Sequence, residues 1–113
     1  MKASQSWFVY ILECENGSFY TGFTDDLSRR YEEHLKGSKK SKYTRSFKPV
    51  RIARSWLLRG SRAGAMKVER LVKKMDRTAK DALVKNPHSL NEIIERHSGL
   101  DVVVMGIGPG ASD

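Results

Sequence analysis

Residues 6–24 read SWFVYILECENGSFYTGFT, and the fold turns on how this stretch is paired. Ser6 to Cys14 is almost wholly apolar. In an extended chain Trp7, Val9 and Ile11 point to one side and Phe8, Tyr10 and Leu12 to the other. Apolar character on both sides marks a strand covered on both faces. Asn16-Gly17 supplies a hairpin signal, because both residues tolerate the positive φ of tight turns. Phe19 to Thr24 is rich in aromatic and β-branched residues and reads as the returning strand. Two registers are open. A two-residue Asn16-Gly17 loop pairs Tyr10 with Phe23 and turns Tyr20 away from Tyr10. A three-residue Glu15-Asn16-Gly17 loop, with Gly17 left-handed in a bulge, opposes Leu12 to Tyr20 and Tyr10 to Gly22. Both tyrosines then share a face, and Gly22 leaves space beside Tyr10.

Working outward, Thr24 or Asp25 can cap a helix, with Asp25 and Asp26 at the positive end of its dipole. Leu27, Tyr31 and Leu35 recur at helical spacing, and Gly37 ends the run. Arg30 and His34 fall along the edge of this apolar stripe. An Arg there needs an anion, a hydrogen-bond network or a wet cleft, unless its head snorkels to solvent. Residues 37–49 form a polar, basic loop. Val50 to Leu58 reads as a third strand with Val50, Ile52, Trp56 and Leu58 on one face and Arg54 interrupting it. A helix opening at Gly60 or Ser61 and running to about residue 76 carries the stripe Val68, Leu71, Val72 and Met75. Thr78 with Asp81, and Ser89 with Glu92, resemble capping boxes of two short helices parted by Pro87, and Gly99 stops the second. The predicted order is β-β-α-β-α-α-α: an α+β domain with a small three-stranded antiparallel sheet flanked by helices. Residues 1–99 form that domain. Residues 100–113 form a partly flexible tail with an apolar patch at Val102 to Met105.

The chain has 113 residues and a net charge of +8, unevenly spread. Residues 1–26 and 81–113 are each −3, whereas residues 27–80 carry +14. The run Lys36, Lys39, Lys40, Lys42, Arg45, Lys48, Arg51 and Arg54 repels itself without a polyanion, which points to nucleic acid. Within that span Glu69 is the only acid between Glu33 and Asp76. A lone carboxylate there makes a salt bridge or holds a hard divalent cation through oxygen. One cysteine, Cys14, excludes an internal disulfide framework, and His88 and His97 lack partners at metal-ligand spacing. Trp7 and Trp56 are expected in the core. No apolar run reaches the length of a membrane span, and Met1 to Trp7 lacks a secretory hydrophobic region, so the cytoplasm is the expected compartment and a membrane is not an expected partner.

Taken in order, Phe8-Val9-Tyr10, Tyr20-Thr21-Gly22, the stretch TDDLSRRYEEHLKG with Arg30 and His34, the basic loop, the third strand and Glu69 in AMKVERLVKKM resemble the GIY-YIG nuclease superfamily. The resemblance covers about residues 7–85 and is nearest to the small, stand-alone, single-domain bacterial members. Phe8 stands where the family name has glycine. The resemblance implies a DNA endonuclease using one divalent cation, Mg²⁺ or Mn²⁺, of a kind that serves DNA repair or recombination. Carried over, Glu69 is the metal ligand and Arg30 neutralises the scissile phosphate. Tyr10 activates or positions the attacking water, Tyr20 orients water or phosphate, and His34 assists by hydrogen bonding or proton transfer. Lys36, Lys39, Lys40, Lys42, Tyr43, Thr44, Arg45 and Lys48 are the expected nucleic-acid contacts, and RNA remains a second polyanion to test. Residues 86–113 are too short and acidic for a separate DNA reader, so specificity falls to the nuclease surface, a protein partner or self-association. The alternative is a non-catalytic DNA- or RNA-binding module on the same fold.

Overall fold

In a computed structural model, which describes residues 5–37, 44, 46–97 and 99–108, the strands are β1 (Gln5–Cys14), β2 (Phe19–Thr24), β3 (Pro49–Gly60) and β4 (Val102–Ile107). The helices are α1 (Leu27–Lys36), α2 (Arg62–Lys73), α3 (Arg77–Lys85) and α4 (Ser89–Arg96). The fold is α+β, as expected, but the sheet has four strands among the described residues, ordered β2-β1-β3-β4 and antiparallel throughout. The element order therefore ends in a strand that the sequence reading assigned to the tail. Val102 to Ile107 pairs with Gly60 to Trp56, burying Val102 and leaving Val103 and Met105 exposed.

The hairpin takes the three-residue alternative. Gly17 has φ 84°, its N–H donates to the Cys14 carbonyl at 2.8 Å, and the Cys14 N–H donates to the Ser18 carbonyl at 2.9 Å. Tyr10 therefore opposes Gly22, and Leu12 opposes Tyr20. Trp7, Val9 and Ile11 share the face that holds the main core with Trp56, Leu58, Val68, Val72, Leu83 and Leu90, so α2, α3 and α4 lie there. Tyr10 and Tyr20 occupy the opposite face and meet α1.

Several local readings need correction. The N-cap of α1 is Asp26, whose Oδ1 accepts from the Arg29 N–H at 3.0 Å, while Thr24 Oγ1 accepts from the Asp26 N–H at 3.1 Å. The long helix ends at Lys73, and Asp76, not Thr78, caps the next by accepting from the Ala79 N–H at 2.9 Å. Ser89 forms no capping box; its hydroxyl donates to the Asn86 carbonyl at 2.7 Å. Two register shifts leave Ala53 and Val50 of β3 unpaired with β1 and break the expected alternation, and Val50 is 56% exposed. Arg54 is not a free member of a basic run. It is buried, and its Nε–H donates to the Val84 carbonyl at 2.9 Å, tying the last turn of α3 to the sheet with the helix dipole in favour. Trp7 and Trp56 are both buried, with indole N–H groups donating to the Gly60 and Pro87 carbonyls. No helix is long and apolar enough to cross a membrane.

Candidate active site

Gly22 positions the first tyrosine. A Cβ there would stand 2.5 Å from the Tyr10 hydroxyl and 2.7 Å from its Cζ, so the Tyr10 ring lies directly over Gly22. Because β2 is the outer strand, the ring runs across the sheet toward the β2 edge. Tyr10 is 1% exposed, and its hydroxyl lies 2.9 Å from His34 Nε2. His34 Nδ1 in turn lies 2.8 Å from Thr44 Oγ1. His34 is completely buried and not at a stripe edge, because α1 packs this face on the hairpin while Leu35 is turned out. The Tyr20 ring stands edge-on to the imidazole with centroids 5.1 Å apart, and the Tyr10 ring does so at 5.8 Å.

The electrostatics follow from burial. His34 is pushed down to about 4, chiefly by desolvation and then by the Arg30 charge, with Glu33 opposing. At neutral pH its imidazole is uncharged, so one ring nitrogen donates and the other accepts. The arrangement in which Tyr10 O–H donates to Nε2 and Nδ1–H donates to Thr44 Oγ1 satisfies all three groups. Burial also pushes Tyr10 well above the usual phenol range; Tyr20 and Glu69 add to this, and Arg30 opposes as a nearby charge and hydrogen-bond donor. Arg30 is 16% exposed and donates to Glu33 Oε1 at 2.8 Å. Its head is thus held between Tyr10 and Glu33, one of the networks its position demanded.

Glu69 projects from α2, close enough for its charge to act on Tyr10. It is half-buried and makes no hydrogen bond or ion pair with any described residue. Burial pushes its carboxyl above the usual range, with Lys73 and Arg70 pulling the other way. A half-buried carboxylate with no donor among the described residues fits a hard cation. No group of three or more His, Cys, Asp or Glu side chains surrounds it among the described residues, so any such ion would complete its shell with water and substrate oxygens.

Tyr10, Arg30 and His34 therefore converge, Tyr20 stands edge-on to the His34 imidazole, and the Glu69 charge acts on Tyr10 from α2. The expected nucleic-acid contacts divide differently. Lys39, Lys40, Lys42, Tyr43 and Arg45 lie outside the described residues. Thr44 is corrected: it is 0% exposed and bonded to His34, so it supports the imidazole from behind instead of meeting a substrate. Lys36 is exposed at the end of α1, and Lys48 Nζ donates to the Leu35 carbonyl at 2.8 Å, closing that end of the helix. Glu33, as the counter-ion of Arg30, was missed, although its i,i+3 spacing signals it.

A family model described as the GIY-YIG catalytic domain matches residues 6–81. A UPF0213 protein of Cupriavidus necator is 44% identical over 82 residues, spanning 73% of this chain and 87% of the relative. One from Fusobacterium nucleatum is 41% identical over 90 residues, spanning 80% and 88%. The solution NMR structure of a UPF0213 protein from Bacillus halodurans shares 42% identity, covering 72% of this chain and 84% of that one, with a TM-score of 0.42. With the family model spanning both tyrosine strands, the Arg30/His34 helix and Glu69, this chain is a member of the GIY-YIG family of nuclease domains.

Proposed function

We propose that this protein is a metal-dependent endonuclease that hydrolyses DNA phosphodiester bonds. The observation that carries the reading is the hydrogen-bonded line Tyr10–His34–Thr44, with Arg30 on the Tyr10 hydroxyl and, near enough for its charge to act on Tyr10, a Glu69 carboxylate that has no partner among the described residues. Hydrolysis needs a positioned water, neutralised phosphate oxygens and help for the leaving alkoxide. In this reading Tyr10 works as a relay. Its burial disfavours a standing phenolate, but its hydroxyl can take a proton from water while passing its own to His34 Nε2. Thr44 fixes the imidazole so that Nε2, not Nδ1, faces the tyrosine. Arg30 exchanges its contact with Glu33 for the scissile phosphate and answers the charge that develops on its oxygens. Tyr20 walls the imidazole and orients water or phosphate. Glu69 would hold one Mg²⁺ or Mn²⁺, and such an ion would supply Lewis-acid stabilisation for the leaving oxygen.

Lys36 and the basic segment after it supply backbone attraction. Strand cleavage of this type would serve DNA repair or recombination, with a partner or self-association adding specificity. The test is incubation with single-stranded, duplex and branched DNA and either metal. Cleavage that stops with chelator and with Glu69→Ala supports the reading. Salt-sensitive binding without turnover under either metal would overturn it and leave the non-catalytic binding module.

A further inference from the structure

Beside Arg30 a pocket of about 360 Å³ opens between the end of β2 and the first turns of α1 and α2. Its wall includes Trp7, Phe23, Asp25, Arg29, Arg30 and Arg62. The volume suits one nucleotide, since small-ligand sites start at roughly 300 Å³. Two chemistries meet in it. The aromatic part is rigid: Trp7 is held by its indole N–H to the Gly60 carbonyl at 3.2 Å, and the half-buried Phe23 ring lies 6.0 Å from it, tilted by 50°. The cationic part is largely balanced from within. Arg29 pairs with Asp25 at 2.8 Å, and Arg30 with Glu33 at 2.8 Å. Arg62 is exposed and forms no hydrogen bond or ion pair with any described residue; its guanidinium rests 5.7 Å from the Phe23 centroid. Arg29, Arg30 and Arg62 against Asp25 and Glu33 leave the wall one net positive charge, with Arg62 its cation outside any ion pair among the described residues, and this matches the single negative charge of a phosphodiester.

We infer that this pocket is the subsite for the nucleotide next to the cleaved bond. Its unstacked base lies against Phe23 and the edge of Trp7, and its phosphate is held by Arg62. Every base offers a π-face to such a wall, and a guanidinium suits both phosphate oxygens and a base plane. A base still paired in a duplex cannot enter, so the pocket favours DNA with an unpaired nucleotide at that position. The position of the subsite beside the cut rests on the nuclease reading, because Arg30 is shared between the pocket and the catalytic cluster. The base-and-phosphate chemistry does not.

The experiment is an NMR titration without divalent metal, following the Trp7 and Trp56 indole N–H signals. Trp56 is the control, being fully buried and bonded to Pro87. The probes are a thymidine tetranucleotide, the same backbone without its bases, and a paired duplex. The tetranucleotide should shift Trp7 and leave Trp56 still. Removing the bases should weaken binding ~10-fold and cancel the Trp7 shift, as expected for the loss of base stacking. Arg62→Ala should weaken binding ~5-fold or more, with partial recovery in Arg62→Lys. The duplex should bind without moving Trp7. Equal binding of the baseless backbone, a silent Trp7, or an indifferent Arg62→Ala overturns the subsite. A parallel cleavage run separates the two ideas. Cleavage with a silent Trp7 removes the subsite alone, whereas a responsive Trp7 without any cleavage supports the pocket and removes the nuclease reading.

Discussion

Replacing Gly22 by alanine tests how the hairpin register creates the site. Gly22 is not among the positive-φ glycines, so backbone freedom is not what the position needs. It needs space: the added methyl would stand 2.5 Å from the Tyr10 hydroxyl and 2.7 Å from Cζ. Ordinary contacts begin near 3.4 Å, so the phenol must retreat by about 0.9 Å. The backbone of Tyr10 is fixed between β2 and β3, and its ring is walled by His34, so the ring tilts and the 2.9 Å bond to Nε2 breaks. Overpacking costs about 1–3 kcal/mol and the lost buried hydrogen bond about 1 more, so Gly22→Ala should lose about 2–4 kcal/mol in urea denaturation. A misplacement near 1 Å should cut single-turnover cleavage ~100-fold, measured at a temperature where the variant is folded. Tyr10→Phe in the same chain removes the atom that clashes hardest. The double variant should therefore regain ~1 kcal/mol relative to additivity without regaining activity. Gly22→Ala with stability within ~0.5 kcal/mol of the parent and unchanged cleavage would refute the reasoning.

Glu69→Gln should abolish cleavage while leaving the protein as stable or more so at neutral pH. Its carboxyl is raised because burial penalises the charged form, so this group costs folding least below the ordinary carboxyl range and stability is lost as pH rises through the folded value; thermal melts across pH 4–8 check this. His34 has the opposite sign. Its folded value of about 4 lies below its unfolded one near 6.5, so stability is complete above ~6.5 and falls by up to about 3 kcal/mol as pH drops toward 4. Urea denaturation of the parent and His34→Gln over that window should show the loss of stability toward pH 4 steeper in the parent by the His34 contribution. Arg77→Ala should cost about 1 kcal/mol in urea denaturation, because Arg77 donates to the Gly17 carbonyl and its guanidinium lies 3.7 Å from the Phe19 ring centroid, pinning the hairpin turn to α3.

What the sequence made legible was local. The hairpin, its two candidate registers, the Gly37 stop with φ 70° and the Ser61 cap are written in neighbouring residues and stand in the structure. Choosing between the registers required knowing that Gly22 must lie under Tyr10, a contact across strands. β4 was not legible because Val102 to Met105 shows no alternation and pairs with a partner some 45 residues away. His34 was misjudged as an edge residue because its burial comes from the hairpin face and from Thr44, which helical spacing cannot report. Arg54 looked like part of a phosphate-binding run until the Val84 carbonyl accounted for it. Charge counting sees the guanidinium but not the helix end that holds it.

The most direct measurement is the single-turnover rate of cleavage of end-labelled DNA as Mn²⁺ is titrated, for the parent and Glu69→Gln side by side, with matched melting curves. The expected result is a rate that rises and saturates with metal in the parent and is at least ~100-fold lower throughout in Glu69→Gln. Cleavage independent of added metal and of chelator, or equal in the two proteins, would contradict the assignment of Glu69 and with it the site built around Tyr10, Arg30 and His34.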